Sequence, residues 1–226
     1  MKCLYQMNFE KLKKLVEEDL FLTDWYVAWD ESLAVRAKRI REFETDKMYG
    51  TNNMQRRYEL IKRRADEIGL KYNETEIVTW FDTLSILYHA FDMIEYEYLR
   101  NNIVILQEYN IPFSSKRADY VLCYDNKILI LEFSFNKLGY DLQYETKLHQ
   151  AIGYKELIGN ILPKEIDIAT YTFLVDSGYI KDNGKVYDLA HYVEKFFNKN
   201  IDLAIRALSH LDSNKKEEEM KKEEGV

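Results

Sequence analysis

The sequence has few of the residues that build cross-linked, hinged or membrane-embedded proteins. Of its 226 residues, two are cysteine, two are proline and eight are glycine. Two cysteines cannot form a disulfide framework, and so little proline and glycine leaves no long flexible linker. No apolar run approaches the ~18 residues of a membrane span. The N-terminal stretch MKCLYQMNFEKLKKL lacks the apolar segment of a secretory signal. These absences predict a cytoplasmic protein without a membrane partner.

Two common kinds of ligand site are also missing from the sequence. There is no glycine-rich loop that would cradle phosphates, so ATP binding is not expected. The four histidines are scattered without metal-ligand spacing, which favours surface or packing roles: His89, His149, His191 and His210. His149 stands apart only because it neighbours a motif residue discussed below.

What the chain has in quantity is apolar and charged residues. Hydrophobic residues make up 46% of the composition, enough for a sizeable core, and the formal net charge is -7. The segment from Arg36 to Arg64 departs from this acidic balance, with ten Lys/Arg against four Asp/Glu. A basic segment on an acidic body predicts an electrostatic footprint for nucleic acid, DNA or RNA. The alternative is a pair of helices with solvated charged faces.

Hydrophobic periodicity divides the chain into three parts. Residues 1–70 have a helical period throughout and predict a helical N-terminal extension. Residues 71–212 predict an α/β core with a mixed sheet of about four strands flanked by helices, and a C-terminal helix. Residues 213–226 are charge blocks with almost no apolar residue, which predicts a disordered tail. The expected core strands are Ile103–Tyr109, Ala118–Tyr124, Lys127–Phe135 and Ile168–Val175.

Acidic residues recur on the expected elements of this core. Glu132 interrupts the apolar run ILILEF of a central strand, where a carboxylate is costly unless a cation or several donors meet it. Asp119 lies on the preceding strand, Glu76 opens the long helix before the sheet, and Glu108 ends the first strand. Carboxylates from adjacent strands and a helix end form an oxygen-rich set that suits Mg²⁺ or Mn²⁺. The alternative is that Glu132 pairs with a nearby cation such as Arg117.

Two stretches of the core resemble a known family. RADYVLCYDNKILILEFSF followed by LHQAIGYKEL is similar to the PD-(D/E)xK nuclease superfamily, and most resembles its RecB-like branch. Together with TEIVTW, the segments are also similar to nuclease-like domains fused to Schlafen-type or helicase-like ATPases. The resemblance implies a restriction-endonuclease-like core. It implies Asp119 and Glu132 as the metal-binding pair, with Glu76 as the helix-borne acidic ligand. It also implies that Gln150 and Tyr154, the Gln-x-x-x-Tyr pair, orient the site and substrate.

The sequence departs from the family pattern at one position. The family motif is Glu-x-Lys, whereas this chain has Glu132-Phe133-Ser134. Serine carries no positive charge, so a working site needs a cation from elsewhere. Lys147 is the expected substitute, because it lies three residues before Gln150 on the same helix face. The resulting hypothesis is a Mg²⁺- or Mn²⁺-dependent nuclease. The alternative is a catalytically degenerate nuclease fold that binds nucleic acid, a partner protein or a second copy of the chain.

Overall fold

A computed structural model gives the fold of the protein, and it describes residues 2–20, 22, 33–42, 52–135, 140–175 and 184–198. The expected tail, 213–226, lies outside the described residues. The strands are β1 (Tyr5–Met7), β2 (Val104–Asn110), β3 (Arg117–Tyr124), β4 (Lys127–Phe135) and β5 (Asp167–Val175). The helices are α1 (Phe9–Lys14), α2 (Leu33–Glu42), α3 (Asn52–Glu67), α4 (Glu74–Asp92), α5 (Glu97–Asn102), α6 (Tyr140–Gly159) and α7 (184–198). A π-helical turn, Leu15–Asp19, continues α1.

The strands form one open mixed sheet in chain order, so the expected α/β class is confirmed. β1 to β4 pair antiparallel in succession, and β5 joins β4 in parallel. A parallel pair needs a crossover connection, which α6 supplies between β4 and β5. β4 is central, between β3 and β5, and this position explains its near-continuous burial.

The sheet has five strands rather than about four, and the additional strand corrects the helical interpretation of residues 1–70. Tyr5–Met7 pairs antiparallel with Gln107–Ile105 of β2 and forms an edge strand. Three residues are too short for a period-2 signal to stand out beside the apolar spacing of α1. The backbone hydrogen bonds of the pairing, with Asn110 N–H donating to Lys2 O (3.0 Å), come from a strand about a hundred residues away.

Side-chain packing covers both faces of the sheet. A larger core lies between the sheet and the helices α1, α3, α4 and α7, and includes Phe81, Leu122 and Phe133. A smaller core lies between the opposite face and α6, and includes Val121 and Ile130. We call these the α4 face and the α6 face of the sheet. Because side chains alternate along a strand, β4 presents Leu131 and Phe133 to the α4 face, and Ile130 and Glu132 to the α6 face.

Candidate functional site

The site begins with two carboxylates on neighbouring strands. The backbone N–H of Asp119 on β3 donates to Glu132 Oε1 on β4 (3.1 Å), and the N–H of Phe133 donates to Asp119 Oδ2 (2.8 Å). These reciprocal bonds use backbone donors where the β3–β4 ladder, last paired at Tyr120–Leu131, has opened. The expectation that both carboxylates converge is confirmed. Glu132 is fully buried, so both of its oxygens depend on protein donors.

Lys147 of α6 completes this group. Its Nζ lies 2.7 Å from Glu132 Oε2 and 3.1 Å from Asp119 Oδ2. The expected reach of Lys147 across the helix face towards Glu132 is therefore observed. The alternative pairing of Glu132 with Arg117 is not, because Arg117 is engaged by Glu76 and Glu108. We refer to Asp119, Glu132 and Lys147 as the triad.

Burial and crowding shift the protonation of the triad. Burial first, and the neighbouring Asp119 charge second, raise the pKa of Glu132 to about 8 against the partial counter-effect of Lys147. Burial alone would lower the pKa of Lys147, but the charges of Asp119 and Glu132 outweigh burial and raise it. Glu132 and Lys147 therefore both hold their protons more tightly than the same groups do in water.

Gln150 and Tyr154 lie on the same face of α6 as Lys147. Gln150 Nε2 donates to the hydroxyl of Tyr154, whose ring is buried in the α6-face core. Burial, followed by the nearby Glu132 charge, raises the pKa of Tyr154 to about 12. The spacing of four residues places the two side chains one turn apart, as the sequence predicts. Tyr154 thus packs α6 onto the sheet beside the triad, and Gln150 holds the Tyr154 hydroxyl.

Glu108 is the site residue to which the sequence analysis assigned no role. It lies on β2 between the register pairs Gln107–Tyr120 and Tyr109–Ala118, opposite Asp119. Its backbone is left-handed (φ 52°), and its carboxylate accepts from Trp80 Nε1 on α4 (2.8 Å). Burial and the Asp119 charge raise the pKa of Glu108 to about 8. One feature of the sequence could have indicated this position: Glu108 lies at the end of the expected strand that precedes the strand of Asp119.

Glu76 lines the same cavity but has other partners. Its carboxylate pairs with Arg117 (3.0 Å) and accepts from Asn73 Nδ2 (3.3 Å). Asn73 also caps α4 by accepting from the backbone N–H of Glu76 (3.1 Å), so the two residues form a reciprocal capping arrangement. Among the contacts of the described residues, Glu76 touches neither Asp119 nor Glu132. Glu108 occupies the neighbourhood of Asp119 that was expected for Glu76.

Ser134 occupies the position of the motif lysine. It is 2% exposed and follows Glu132 on the same face of β4. Its hydroxyl has no hydrogen-bond partner among the described residues. The strand position expected to carry the cation is thus buried and neutral, while the cation arrives from α6.

Whereas Glu132 is fully buried, Asp119 and Lys147 of the triad line an open cavity of about 690 Å³ between α4, α6 and the ends of β2 and β3. Its walls combine acidic, basic and aromatic side chains: Glu76, Trp80, Glu108, Lys116, Arg117, Asp119, Phe133, Lys147, His149, Gln150 and Tyr154. His149 therefore lies at the cavity wall. Because the lining combines cations, carboxylates and aromatic rings, the cavity suits a charged ligand rather than an apolar one.

The donor set of the triad fits a metal of the Mg²⁺ type only in part. Mg²⁺ is commonly held by one or two carboxylates, with waters and substrate oxygens completing its shell. Asp119 and Glu132 supply two carboxylates, but the Lys147 ammonium lies against both. Among the described residues, no three His, Cys, Asp or Glu side chains form a group that could hold a metal ion. A metal would therefore share these carboxylates with Lys147.

The basic segment Arg36–Arg64 is only partly available for a ligand. Arg36 is buried and forms a bidentate ion pair with Asp82 of α4, at 2.5 and 2.6 Å. On α3, acidic residues interleave with the exposed cations, as in the pair Arg63–Glu67 (3.8 Å). Residues 43–51 lie outside the described part of the chain. In what is described, the segment resembles the alternative of solvated helix faces more than a continuous basic patch.

Comparison of the chain with family models, with curated proteins and with solved structures finds no match. No helix in the described part of the chain is long and apolar enough to cross a membrane.

Proposed function

We propose that the protein is a metal-dependent nuclease in which Lys147 of α6 replaces the lysine of the Glu-x-Lys motif. The observation that carries the proposal is the contact of Lys147 Nζ with both Glu132 (2.7 Å) and Asp119 (3.1 Å). The order α4, β2, β3, β4, α6, β5 also supports it, since the resemblance to PD-(D/E)xK nucleases expects its acidic pair on β3 and β4.

Each residue of the site has a distinct task in this proposal. Asp119 and Glu132 would hold Mg²⁺ or Mn²⁺, which when bound polarises a phosphoryl oxygen and lowers the pKa of water. Lys147 places a positive charge beside the pair, where negative charge develops on a phosphodiester during attack. Gln150 and Tyr154 hold α6, and thus Lys147, against the sheet. Glu132 must release its proton before it can ligate a cation.

A charge-relocation experiment tests this proposal. Cleavage of labelled single-stranded DNA, duplex DNA and RNA is measured with Mn²⁺ and with Mg²⁺. Lys147→Ala should lose about 10²–10³ in rate, the typical effect of removing one charge-stabilising group. Ser134→Lys/Lys147→Ala should regain much of that loss, because it returns the cation to the strand. Ser134→Ala should cleave like the wild type.

Two further variants make the result interpretable. Glu132→Ala should abolish cleavage, and Lys155→Ala, which removes a cation from an exposed position of α6, is the matched control for Lys147→Ala. Thermal unfolding of each variant separates lost chemistry from lost folding. Cleavage by Lys147→Ala at the wild-type rate would overturn the role of Lys147. No cleavage of any substrate by the wild type would overturn the nuclease proposal.

The second candidate is a binding module that uses the same cavity without catalysis. The observation in its favour is the ammonium of Lys147 lying between the carboxylates, an arrangement that is internally neutralised without a metal. Calorimetric titration with Mn²⁺ separates the candidates. The nuclease proposal expects an affinity that Glu132→Ala removes, whereas the binding module expects none.

We also propose a reducing, cytoplasmic setting for the protein. Cys3 and Cys123 belong to the same apolar cluster on the α6 face, yet both are free thiols. A chain with two cysteines and no disulfide framework is typical of a reducing compartment. Burial raises the pKa of both, which lowers their reactivity.

A further inference from the structure

Phe113 is an exposed aromatic residue in the turn between β2 and β3. Its side chain is 93% exposed, the largest exposure among the large hydrophobic residues of the described chain. Its backbone is left-handed, with φ 59°. The turn itself is hydrogen-bonded: Ile111 N–H donates to Lys116 O (3.0 Å), and Lys116 N–H donates to Ser114 Oγ (3.0 Å). The ring is therefore presented outward by an ordered turn.

Phe113 is unfavourable in two ways within the isolated chain. A left-handed backbone favours glycine or asparagine, and a bulky residue there is strained by on the order of 1 kcal/mol. A fully hydrated phenyl ring also forgoes the stabilisation that burial would give. No ring or cation contact to Phe113 occurs among the described residues. Its compensating contact would have to come from another molecule.

The position of the turn indicates what that molecule is. Lys116 is exposed, and it lines the cavity together with Arg117, which follows it at the start of β3. In the described part of the chain, Lys116 forms no ion pair, so its ammonium is available for a phosphate. An aromatic ring three residues from such a cation is the combination that binds single-stranded nucleic acid, in which bases stack on rings and cations follow the backbone.

We infer that Phe113 stacks on an unpaired base of a nucleic-acid strand whose phosphates pass Lys116 into the cavity. This inference rests on the proposed nuclease function and specifies its substrate class, single-stranded or locally unpaired nucleic acid. Bases within a duplex are already stacked on both sides and cannot take the ring without distortion. The phenyl ring therefore adds affinity for unpaired strands and none for uninterrupted duplex, while Lys116 binds the phosphates of either.

Binding of fluorescent oligonucleotides tests the inference by anisotropy, with Ca²⁺ in place of Mg²⁺ and in parallel with EDTA. The probes are single-stranded DNA, single-stranded RNA, an abasic strand of equal length and a duplex. Phe113→Ala should weaken binding of the base-bearing strands by about 5- to 150-fold, the effect of one lost base–aromatic stack. It should leave the abasic strand and the duplex unchanged. Lys116→Gln should weaken all four probes alike, because phosphate contacts carry no base information.

Matched variants protect this test against misfolding. Phe113→Gly suits the left-handed backbone and should bind single strands as weakly as Phe113→Ala without any loss of thermal stability. Phe113→Trp should bind single strands as tightly as the wild type, because it keeps an aromatic ring. Phe113→Leu should bind them as weakly as Phe113→Ala, because it is apolar but has no ring to stack. Tyr98→Ala removes an exposed aromatic ring of α5 as the control and should bind like the wild type.

The outcomes separate this inference from the proposed function. Equal binding of single strands by wild type and Phe113→Ala overturns stacking but leaves the nuclease proposal standing. Equal weakening of abasic and base-bearing strands by Phe113→Ala overturns it too, since the ring would then act without a base. A wild-type dimer in sedimentation that Phe113→Ala dissociates would reassign the ring to self-association. Absence of binding to every probe by the wild type overturns both proposals.

Discussion

At the scale of single residues, the site is governed by where protons and charges reside. Glu132 is surrounded by donors on both oxygens, yet burial and the Asp119 charge still favour its protonated form. The Lys147 ammonium lies against both carboxyl groups, at 2.7 Å from Glu132 and 3.1 Å from Asp119, and offsets part of the cost of burying Glu132. A cation that binds here has to displace the proton of Glu132 or compete with Lys147 for its oxygens.

The protonation of Glu132 predicts a pH dependence of stability. Its folded pKa of about 8 lies above its ordinary value of 4.5, so the folded state holds a proton that the unfolded state has released. The unfolding free energy therefore falls as pH rises from about 4.5 to about 8, by up to about 1.4 kcal/mol per pH unit. Glu132→Gln should remove this contribution to the slope. Urea unfolding at half-unit pH steps measures it.

Two comparisons make the pH result specific. Glu108→Gln should remove a second contribution of the same sign, because the pKa of Glu108 is also raised to about 8. Glu156→Gln, which removes an exposed carboxylate of α6, is the matched control. A wild-type slope retained in Glu132→Gln would mean that Glu132 is ionised in the folded protein at neutral pH.

At the scale of secondary-structure elements, the helices supply the hydrogen-bond donors that contact the carboxylates of the strands. β4 supplies Glu132 but carries Ser134 where a cation is expected, and α6 supplies Lys147 across the α6 face. On the other side of the sheet, α4 supplies Trp80 to Glu108. The placement of α4 depends in turn on α2, which contacts it through the buried pair Arg36–Asp82. The site is thus positioned by helices on both faces.

The buried ion pair of Arg36 and Asp82 predicts how substitutions change the free energy of unfolding. Replacing one partner should lower it strongly, whereas replacing both should lower it little. Asp82→Ala leaves the Arg36 guanidinium buried without its bidentate partner, and should cost about 3–5 kcal/mol of unfolding free energy. Arg36→Met/Asp82→Leu should cost much less, because neither charge remains buried. Denaturant unfolding of Arg36→Met, Asp82→Leu and the joint variant gives the coupling energy. A joint cost equal to the sum of the two single costs would show that the two charges are not coupled.

At the scale of the whole molecule, the N-terminal segment and the sheet share one interior. β1 pairs with β2, and the larger core joins Leu4, Leu12 and Ile61 with Phe81 and Leu122. Arg64 Nε donates to the backbone carbonyl of Leu4 (3.0 Å), which ties α3 to the entry of β1. The expected boundary between residues 70 and 71 therefore separates two segments that pack extensively against each other.

This shared interior predicts that residues 71–226 do not fold alone as the sequence division implies. Deletion of residues 1–70 would expose the apolar surface of α4 and leave β2 as an unpaired edge. The fragment should lack a cooperative thermal transition, whereas the full chain should show one. Circular dichroism and hydrophobic-dye binding of both chains check this. A cooperative transition in the fragment would instead establish an autonomous core.

The sequence predicted the elements around the site better than the contacts among its residues. The strands carrying Asp119 and Glu132 were identifiable because apolar alternation and a single turn bounded them. Lys147 was predictable because helical spacing relates it to Gln150 and Tyr154. Glu108 was noted at the end of a strand but given no role, because its role depends on register with β3 and on a left-handed backbone. Glu76 was placed beside Asp119, whereas its nearest partners are Arg117 and Asn73.

The sequence by itself determined the α/β class, the central position of β4 and the presence of an isolated carboxylate within it, because these follow from local apolar patterning. Tertiary structure alone decided that β1 joins the sheet, that Arg36 is paired with Asp82, and that Phe113 faces solvent. Each of these depends on which distant surfaces meet, and local periodicity carries no information about that. The position of Lys147 depends on both sequence and tertiary structure. Helical spacing places it on the face of α6 that carries Gln150 and Tyr154, and packing of α6 on the sheet brings it to Glu132.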